Sequence, residues 1–518
     1  MGIIVSRPDA QAVAAPASAA GACAAMATVA GMHISVIGCG YLGAVHAACL
    51  AGAGHEVVGL DVDARKVAGL QAGEPLFHEP GLAGLLGRTV GHGLRFTTDP
   101  GTLGAAEVIY LAVGTPQLGD GQVETGQVGS GHGGRGPAGS EPVGIGPAGN
   151  GRATGNPARA GSGAQGPVAA GRADLSQLDA ALRQVEAHAS RTHRTLVVGK
   201  STVPVGTAAR VAERLSRCDA DLVVAWEPEF VREGHAIADT RAPARLVHGL
   251  PDDPEQARFA RSQLARCHRG IDAATPRLAV DYATAELVKT SANAFLATKI
   301  SFINAMAELC DAAGADVTAL ADALGLDPRI GAGFLDAGIG FGGGCLPKDL
   351  RALQARAGEL GAQPVADLLG RVDALNLRAR DRATDALARL CGGGLAGRRV
   401  AILGAAFKPD SDDLRDSPAL GIADRARAAG ARVTITDPMA TGGLRCLRAD
   451  LEVVDDALTA ATGADVVALL TPWPHYLRLD PAELGDVVAH KALLDGRNAL
   501  DPDEWERAGW RYAGIGRR

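Results

Sequence analysis

Apolar residues recur along the chain in short runs that alternate with longer helical patterns. The first runs occupy residues 33–38 and 56–60, and a helical pattern lies between them. Comparable runs follow at 107–113, 195–198 and 222–225. Continuous apolar runs of strand length, separated by helical stretches, are typical of parallel strands covered on both faces by helices. The first part of the chain is therefore predicted to be an α/β domain.

A long helical pattern without glycine or proline runs from Asp281 to about Gly314. Its apolar face is broad enough to be buried on more than one side, as in a domain connector or a dimerisation helix. Further helix is predicted over 350–391, and strands return at 399–403, 433–436, 465–470 and 492–494. The fold class is therefore α/β, with two Rossmann-like, doubly wound domains joined by a long central helix and a helical middle domain.

Two segments lack the large apolar residues that a packed core requires. Residues 1–31 are rich in alanine and precede an abrupt strand start after Met32, so a disordered or artefactual extension is favoured over a secretory leader. Residues 120–172 are rich in glycine and proline and are predicted to form a disordered surface insertion. A loop tolerates such a length because the entropy of loop closure grows slowly with length.

Composition narrows the classes of function. The chain is 47% hydrophobic with a net charge of −7, so it lacks the basic character of a nucleic-acid-binding protein. No apolar run is long enough to cross a membrane. The nine cysteines are dispersed without a CxxC pair or metal-ligand spacing. This pattern predicts no metal site, and it indicates reduced thiols in the cytoplasm.

The first two strands flank a dinucleotide-binding pattern. Gly38, Gly40 and Gly43 form G-x-G-x-x-G directly after the first strand, and Asp61 ends the second. The glycines permit a tight turn, a close approach of pyrophosphate, and helix–strand packing, and the acid accepts ribose hydroxyls. NAD is therefore predicted in preference to NADP, with a purely structural glycine turn as the alternative. The second α/β unit lacks this motif and is predicted to hold a different nucleotide-like ligand.

The glycine-rich stretch 338–349 contains a candidate nucleophile, Cys345, followed by Lys348 and Asp349. A cysteine beside a cation is more readily a thiolate, and a nearby carboxylate can activate water against a group held by the sulfur. A structural cysteine in a flexible loop is the alternative. On the long helix, Lys289 and Asn293 share a face because they are four residues apart, although a solvated lysine with an asparagine neighbour would show the same spacing.

Polar residues follow several of the predicted strands. Thr115, Lys200, Thr202 and Glu229 stand where parallel strands end, which is where open α/β sheets bind their ligands. Each of them could instead cap the helix that follows. These residues are therefore candidates for lining a site.

Eight motifs, in order, resemble the UDP-glucose/GDP-mannose dehydrogenase family. The resemblance covers residue 32 to the end, apart from the glycine-rich insertion. The motifs are Gly38–Gly43, Val113–Pro116, Lys200–Thr207, Glu227–Gly234, Ala285–Lys289, Gly340–Asp349, Ala406–Pro409 with Asp413–Arg415, and Asp495–Arg497. Some positions depart from the commonest pattern, among them Glu227, which stands where the family usually has asparagine. These departures put fine substrate contacts in doubt rather than the reacting groups.

The resemblance implies a four-electron oxidation of the CH₂OH group of a nucleotide sugar to a carboxylate, with two NAD used in succession. Cys345 would hold the intermediate aldehyde as a thiohemiacetal and then as a thioester that water hydrolyses. UDP-glucose is the favoured substrate, and GDP-mannose or another nucleotide sugar is the alternative. An inactive nucleotide-binding regulatory protein is disfavoured because Cys345, Lys289 and Asp349 are all present.

The resemblance also assigns residues to roles. The catalytic residues implied are Cys345, Lys289, Asn293, Asp349, Glu229 and Thr202. Those implied around NAD are Gly38, Gly40, Leu42, Gly43, Asp61, Lys66, Thr115, Thr202, Glu233 and Arg415. Those implied around the nucleotide sugar are Glu229, Phe230, Val231, Arg232, Glu233, Lys289, Asn293, Arg329, Phe334, Leu335, Asp336, Ala337, Gly338, Gly342, Lys408 and Arg497. Arg329 would reach the substrate site of the partner in a homodimer.

The expected domains follow from these assignments. Residues 32–280 form an NAD-binding domain, residues 281–390 a central helical domain with the dimerisation helices and the cysteine loop, and residues 391–518 a domain for the UDP-sugar.

Overall fold

The computed structural model describes residues 31–75, 77–118 and 171–517. An eight-stranded sheet organises the first half of the chain. Its strands are β1 (His33–Ile37), β2 (Glu56–Leu60), β3 (Leu94–Thr97), β4 (Val108–Leu111), β5 (Thr195–Gly199), β6 (Leu222–Trp226), β7 (Leu246–Gly249) and β8 (Arg277–Val280). They lie in the order β3-β2-β1-β4-β5-β6-β7-β8, and only the β6–β7 pairing is antiparallel. The strand order reverses between β1 and β4, which is where such sheets bind ligands.

Helices cover both faces of this sheet. They are α1 (Tyr41–Gly52), α2 (Ala64–Gln71), α3 (Leu82–Thr89), α4 (Ser176–His188), α5 (Thr207–Leu215), α6 (Ala236–Arg241) and α7 (Pro254–Cys267). Successive residues of a strand face opposite sides, so Val36 joins Val57 in one core while Ile37 joins Leu60 in the other. Burial on both faces explains why the interior strands are continuously apolar.

The middle of the chain is helical. It contains α8 (Tyr282–Ala313), α9 (Val317–Gly325), α10 (Leu346–Glu359) and α11 (Gln363–Leu390). The Asp281 carboxylate caps α8 by accepting from the N–H of Thr284 at 2.8 Å, and Gly314 ends the helix with a φ of +72°. Leu350 of α10 and Leu369 of α11 pack in one core with residues of α8.

A six-stranded parallel sheet organises the last part of the chain. Its strands are β9 (Arg399–Leu403), β10 (Arg432–Thr436), β11 (Glu452–Val453), β12 (Val466–Leu469), β13 (Ala492–Asp495) and β14 (Arg511–Ala513). They lie in the order β11-β10-β9-β12-β13-β14. The accompanying helices are α12 (Pro418–Ala428), α13 (Thr441–Leu447), α14 (Ala457–Ala461), α15 (Pro481–Val487) and α16 (Pro502–Arg507). Its core also includes Ile303 of α8 and Leu387 of α11, so the helical middle is packed onto the second sheet.

The predicted fold class is confirmed, and so are the strands and the long helix that the sequence predicted. The sequence did not indicate β3, β8, β11 or β14, which are the four edge strands. Edge strands are short and partly exposed, so they lack the continuous apolar run of an interior strand; β11 has two residues and β8 is mostly exposed. It also missed the interior strand β7, whose short run Leu-Val-His-Gly is broken by a histidine.

The predicted N-terminal extension and insertion lie almost entirely outside the described residues. The two ends of the insertion are neighbours, because the N–H of Leu118 donates to the carbonyl oxygen of Arg172 at 2.7 Å and that of Asp174 donates to Pro116 at 2.7 Å. Within the described ranges, no helix combines the length and apolar character needed to cross a membrane.

Candidate active site

The glycine pattern lies between β1 and α1, beside the reversal of strand order. Gly38 has a φ of +91°, and a side chain at this position would collide with Val113. A Cβ at Gly43 would lie 1.8 Å from the carbonyl oxygen of Gly38, whereas one at Gly40 would meet nothing within 4 Å. Gly38 and Gly43 therefore form the tight turn, and Gly40 leaves the space that a pyrophosphate needs. Leu42 lies in the first turn of α1.

Asp61 is fixed at the end of β2. Its carboxylate oxygens accept from the N–H groups of Cys39 at 2.8 Å and Asp63 at 3.0 Å, and the Lys66 ammonium lies 3.1 Å away. A carboxylate offers about four acceptor positions, so capacity remains for ribose hydroxyls. Lys66 thus orients the acid that the sequence assigned to the cofactor.

Thr115 and Thr202 connect the ends of β4 and β5, because the Thr115 hydroxyl donates to the carbonyl oxygen of Thr202 at 2.7 Å. Thr202 also lines a narrow crevice together with Lys348 and Asp349. The carboxyl ends of β4 and β5 therefore lie next to each other and beside the residues that follow Cys345.

The segment 338–345, called the cysteine loop below, approaches the second sheet's domain closely at its glycines. A Cβ at Gly342 would lie 2.4 Å from the carbonyl oxygen of Asp416, and one at Gly344 would lie 2.3 Å from the guanidinium carbon of Arg415. Gly342 is therefore required for this approach to the second sheet's domain, whereas a side chain at Gly344 would only displace the flexible end of Arg415.

Two residues of α11 hold the cysteine loop. The Asn376 side-chain amide accepts from the N–H of Phe341 at 2.7 Å and donates to its carbonyl oxygen at 3.1 Å. The Arg380 guanidinium donates to the same carbonyl at 3.3 Å and to the Asp416 carboxylate at 2.8 Å. Because Asn376 and Arg380 are buried, these bonds satisfy polar groups that would otherwise be costly.

Arg497 is a third anchor of the loop. Its guanidinium donates to the carbonyl oxygens of Leu470 at 2.8 Å, Gly340 at 3.2 Å and Phe407 at 3.3 Å. Burial lowers the pKa of Arg497 to about 10, although the nearby Asp495 carboxylate opposes the shift. Arg497, which the sequence placed near the substrate, therefore connects the cysteine loop to the end of β12 in the second sheet.

Four of the predicted catalytic residues come together at the start of α10. Cys345 precedes this helix, and Asp349 lies one turn further on. The buried Asp349 carboxylate accepts from the Asn293 amide at 2.6 Å and from the Lys348 ammonium at 2.5 Å. Lys289 lies one turn before Asn293 on α8 and is close enough to act on the pKa of Cys345. These four residues, called the reacting cluster below, are the candidates for the chemistry.

The Cys345 thiol keeps an exposed surface but is surrounded by protein atoms. This desolvation raises the pKa of Cys345 above its ordinary value of 9.0, with further increases from the carboxylates of Glu233 and Asp349. Lys289 and Lys348 oppose the shift but do not reverse it. Lys348 therefore acts on the thiol pKa in the expected direction, but burial outweighs it.

Glu233 lies where the first and last domains approach the cysteine. Its carboxylate is 3.4 Å from the Arg415 guanidinium, and its carbonyl oxygen accepts from the Lys408 ammonium at 2.6 Å. Burial raises the pKa of Glu233 to about 7, the Asp413 carboxylate raises it further, and Arg415 and Lys408 oppose the shift. A group that changes charge near neutral pH therefore adjoins the thiol.

Glu229 is held away from the reacting cluster. Its carboxylate accepts from the buried Lys200 ammonium at 3.0 Å and from the N–H of Phe230 at 2.7 Å. Across the described residues, no hydrogen bond or ion pair joins Glu229 to Cys345 or Asp349.

The residues after Glu229 form a mixed polar and aromatic surface. The Phe230 ring faces the Arg245 guanidinium at 4.0 Å and the Lys289 ammonium at 5.7 Å. Val231 packs against the core that contains Val36 and Val57, and the exposed Arg232 pairs with Asp239 at 2.8 Å.

The segment 334–338 leads into the cysteine loop. Phe334 has a φ of +67° and is partly exposed, Asp336 is exposed, and Leu335 and Ala337 are buried in the core of the second sheet. The N–H of Gly338 donates to the side-chain oxygen of Asn304 at 2.8 Å. Alternating exposure leaves Phe334 and Asp336 facing solvent while their neighbours fix the segment.

Arg329 lies apart from the other predicted residues. It is 86% exposed at its side chain and pairs with Asp327 at 2.6 Å. It does not contact the reacting cluster of its own chain.

Three family models match successive parts of the chain. They are the NAD binding domain (residues 32–132 and 164–264), the central domain (residues 283–378) and the UDP binding domain (residues 401–502) of the UDP-glucose/GDP-mannose dehydrogenase family. The chain belongs to this family. NAD is accordingly its cofactor, as the sequence predicted, and the first sheet and second sheet correspond to the family's NAD and UDP binding domains.

Individual members of the UDP-glucose/GDP-mannose dehydrogenase family are similar over nearly the full length. A UDP-glucose 6-dehydrogenase of Rhizobium meliloti is 37% identical over 94% of this chain and 100% of its own. One of Bacillus subtilis is 35% identical over 94% of this chain and 98% of its own. The solved structure of a UDP-glucose dehydrogenase from Pyrobaculum islandicum is 32% identical, with a TM-score of 0.77 over 96% of this chain and 100% of its own.

Sequence reasoning missed the residues that support this family's cysteine loop. Asn376 and Arg380 were not predicted, although a signal was present: both lie on the buried face of α11, beside Val372 and Ala383. Polar residues on an apolar helix face require partners, and here the partners are the loop's backbone groups.

Proposed function

We propose that this chain oxidises UDP-glucose to UDP-glucuronate, the activity of a UDP-glucose 6-dehydrogenase. The observation that carries the proposal is the cluster of Cys345, Lys289, Asn293 and Asp349, which adjoins both the NAD-binding and the UDP-binding domain. NAD, when bound, accepts hydride from the sugar carbon, and this transfer is needed twice for each substrate. The names of the similar proteins support UDP-glucose as the sugar nucleotide.

Cys345 has the role of covalent nucleophile. Its sulfur adds to the aldehyde carbon to give a thiohemiacetal, and after the second oxidation it holds a thioester. Water then adds to the thioester carbon, the C–S bond breaks, and the sulfur takes back a proton. Because the pKa of the free thiol is raised, a neighbouring base must accept its proton when it attacks.

Asp349 has the role of general base for the water. The Asn293 amide and the Lys348 ammonium hold its carboxylate in one orientation. Thr202 lines the same crevice, which supports a role in holding that water. Lys289 and Asn293 are assigned to stabilising the oxyanion at the reacting carbon.

Glu229 is assigned a supporting role in proton transfer, as the family resemblance implies. Its carboxylate pairs with Lys200, so any such role in this state acts through the loop that begins with Phe230. The same loop, residues 230–233, is assigned to the sugar nucleotide.

The remaining substrate contacts are assigned to the junction between the cysteine loop and the last domain. Segment 334–338, Gly342 and Lys408 would line the nucleotide-sugar site, and Arg497 would hold its wall. Around NAD we place Asp61, Lys66, Thr115, Glu233 and Arg415 with the glycine loop. The corresponding domains are 32–280 for NAD, 281–390 for the central helices and 391–518 for the UDP-sugar.

A homodimer is supported by an apolar stripe on α8. Phe295, Phe302 and Leu309 are 67%, 47% and 59% exposed and recur every seventh residue, so they lie along one face. Large exposed apolar patches mark interaction surfaces. In such a dimer the exposed Arg329 is assigned to the partner's substrate site. We place the protein in the cytoplasm, because the cysteines of the described residues are all unpaired.

The experiment that tests the proposal is a substrate panel read by NADH absorbance. With NAD, UDP-glucose should be turned over, and GDP-mannose should not. Turnover of GDP-mannose without UDP-glucose would reverse the choice of substrate.

A Cys345→Ser variant tests the covalent step in the same assay. It should bind NAD normally while losing at least about 10³-fold in turnover. Cys446→Ser, which removes another exposed thiol, is the matched control and should retain activity. Full activity of Cys345→Ser would exclude the thioester mechanism.

A further inference from the structure

A second cluster of titratable side chains lies on the first sheet, apart from Cys345. Glu227 directly follows β6, His248 lies on β7, and His268 follows α7. The antiparallel pairing of Trp226 with Gly249 sets Glu227 beside His248. The cluster therefore combines residues from three elements that are separated in sequence, and no short motif in the sequence predicts it.

The three side chains converge tightly. Glu227, His248 and His268 each offer a ligand atom, and these atoms all lie within 4.8 Å of one another. His268 Nε2 is 3.3 Å from a Glu227 oxygen, and the two imidazole rings stack with centroids 5.6 Å apart. The residues are only 2%, 7% and 6% exposed. Their geometry is that of a preformed buried set of one carboxylate and two imidazoles.

Several polar atoms of this cluster have no partner within the part of the chain that the structure describes. They are Glu227 Oε2, His248 Nε2 and His268 Nδ1. Leaving a buried polar atom unpaired is costly, so three in one place indicate a missing partner.

We propose that Glu227, His248 and His268 bind a divalent first-row transition-metal ion such as Zn²⁺. One carboxylate and two imidazoles are a zinc donor set that leaves a coordination position open. Mg²⁺ and Ca²⁺ are disfavoured because they prefer oxygen ligands.

The local charge permits a cation despite the nearby Lys200. This ammonium lies 2.8 Å from Glu227 Oε1 and 3.0 Å from the Glu229 carboxylate, so one positive charge faces two negative ones. The second oxygen of Glu227 remains free for the metal. Metal binding displaces any proton held by the imidazoles, so the affinity should fall as the pH is lowered.

An entry path is also present. A cavity of about 470 Å³ is lined by both Glu227 and His268, together with residues of α1 and of the loop after β6. A metal ion can therefore reach the cluster without unfolding the sheet, and the open coordination position has room for water.

The test measures metal content rather than turnover, so its outcome is independent of the dehydrogenase proposal. The full-length protein, with Cys345→Ser and Cys446→Ser to remove the two thiols that are exposed among the described residues, is stripped with a chelator and dialysed against Zn²⁺. The expected result is one Zn²⁺ per chain, retained in an excess of Mg²⁺. Bound Co²⁺ should show no sulfur-to-cobalt charge-transfer band.

Three single variants locate the site. Glu227→Gln, His248→Gln and His268→Gln should each weaken Zn²⁺ binding by at least about tenfold. His490→Gln, an exposed histidine in the second sheet's domain, is the control and should bind normally. Glu227→Gln keeps the shape of the side chain, so it remains informative if a histidine variant fails to fold. Failure of the parent protein to retain Zn²⁺, or retention unchanged in Glu227→Gln, overturns the proposal.

Discussion

The surroundings of a single residue, Cys345, determine the pH range in which its thiol becomes a reactive thiolate. Burial raises its pKa, and the carboxylates of Glu233 and Asp349 raise it further, while Lys289 and Lys348 act in the opposite sense. Asp349 is paired with an amide and an ammonium, whereas Glu233 changes charge near pH 7. Glu233 is therefore the residue through which pH modulates the thiol.

We predict that Glu233→Gln makes Cys345 more reactive at alkaline pH. Above about pH 7 the wild-type carboxylate is charged and raises the thiol pKa; a neutral glutamine removes this effect, so more thiolate is present. At about pH 8.5 the variant should be alkylated by iodoacetamide several-fold faster, and at about pH 6 the two rates should converge.

The measurement is the rate of Cys345 modification by mass spectrometry in the unliganded protein. Glu213→Gln, on the exposed surface of α5, should match the wild type at every pH. The wild-type rate should still be rising at about pH 9. A plateau below pH 8, or slower alkylation of Glu233→Gln, would contradict this description of the thiol.

At the scale of single residues, the sequence predicted candidates for the reacting groups but not their surroundings. Motif resemblance pointed to Cys345, Lys289 and Asp349, because each sits in a short local pattern. The contact between Asn293 and Asp349 joins residues 56 positions apart, so only the fold reveals it. The raised thiol pKa depends on burial and on Glu233, neither of which is encoded near Cys345, as well as on the neighbouring Asp349.

Among the structural elements, the cysteine loop depends most on a distant partner. Its backbone is held by Asn376 and Arg380 of α11 and by Arg497 after β13. The helix and the second sheet thus fix the position of the thiol between the two ligand-binding domains. The cysteine loop is therefore anchored to α11 and to the second sheet's domain.

We predict that Asn376→Ala destabilises the protein by about 1–3 kcal/mol, because it leaves the N–H of Phe341 unpaired in a buried site and removes one of the two donors to its carbonyl oxygen. Turnover should fall more than the affinity for NAD, since the loss loosens the cysteine loop. Urea unfolding, kcat and NAD binding measure these effects. Arg371→Ala, on the exposed face of the same helix, should change none of them, and equal losses of NAD affinity and kcat would oppose a role confined to the loop.

Helices and strands could be predicted from the sequence where their burial produces a recognisable pattern of apolar residues. Interior strands such as β2 and β9 were predicted with the bounds that the structure shows, since both faces are covered and the run is apolar. The edge strands β8 and β11 carry no such run. The capping residues Asp281 and Gly314 explain why the limits of α8 were also predicted.

At the scale of the whole molecule, α8 connects the site to the surface. It contributes Lys289 and Asn293 to the reacting cluster, while Phe295, Phe302 and Leu309 present an apolar stripe to solvent. A homodimer formed through this stripe would bury the aromatic side chains and bring a second chain close to the catalytic helix.

We predict that Phe302→Asp converts the proposed homodimer to a monomer, because a charge in an apolar interface must be desolvated without a partner. Light scattering after size-exclusion chromatography measures the mass. Leu447→Asp, at an exposed apolar residue of α13, should leave the dimer intact. A monomeric wild type, or a dimer that survives in both variants, would show that α8 is not the interface.

The central claim is that one active site carries the sugar alcohol through two oxidations without releasing the aldehyde. The most direct test is the ratio of NADH formed to UDP-glucose consumed, with the product identified by mass spectrometry. We predict about two NADH for each UDP-glucose, with UDP-glucuronate as the product, because the Cys345 thioester retains the intermediate until water releases it. A ratio near one with free aldehyde would contradict the account.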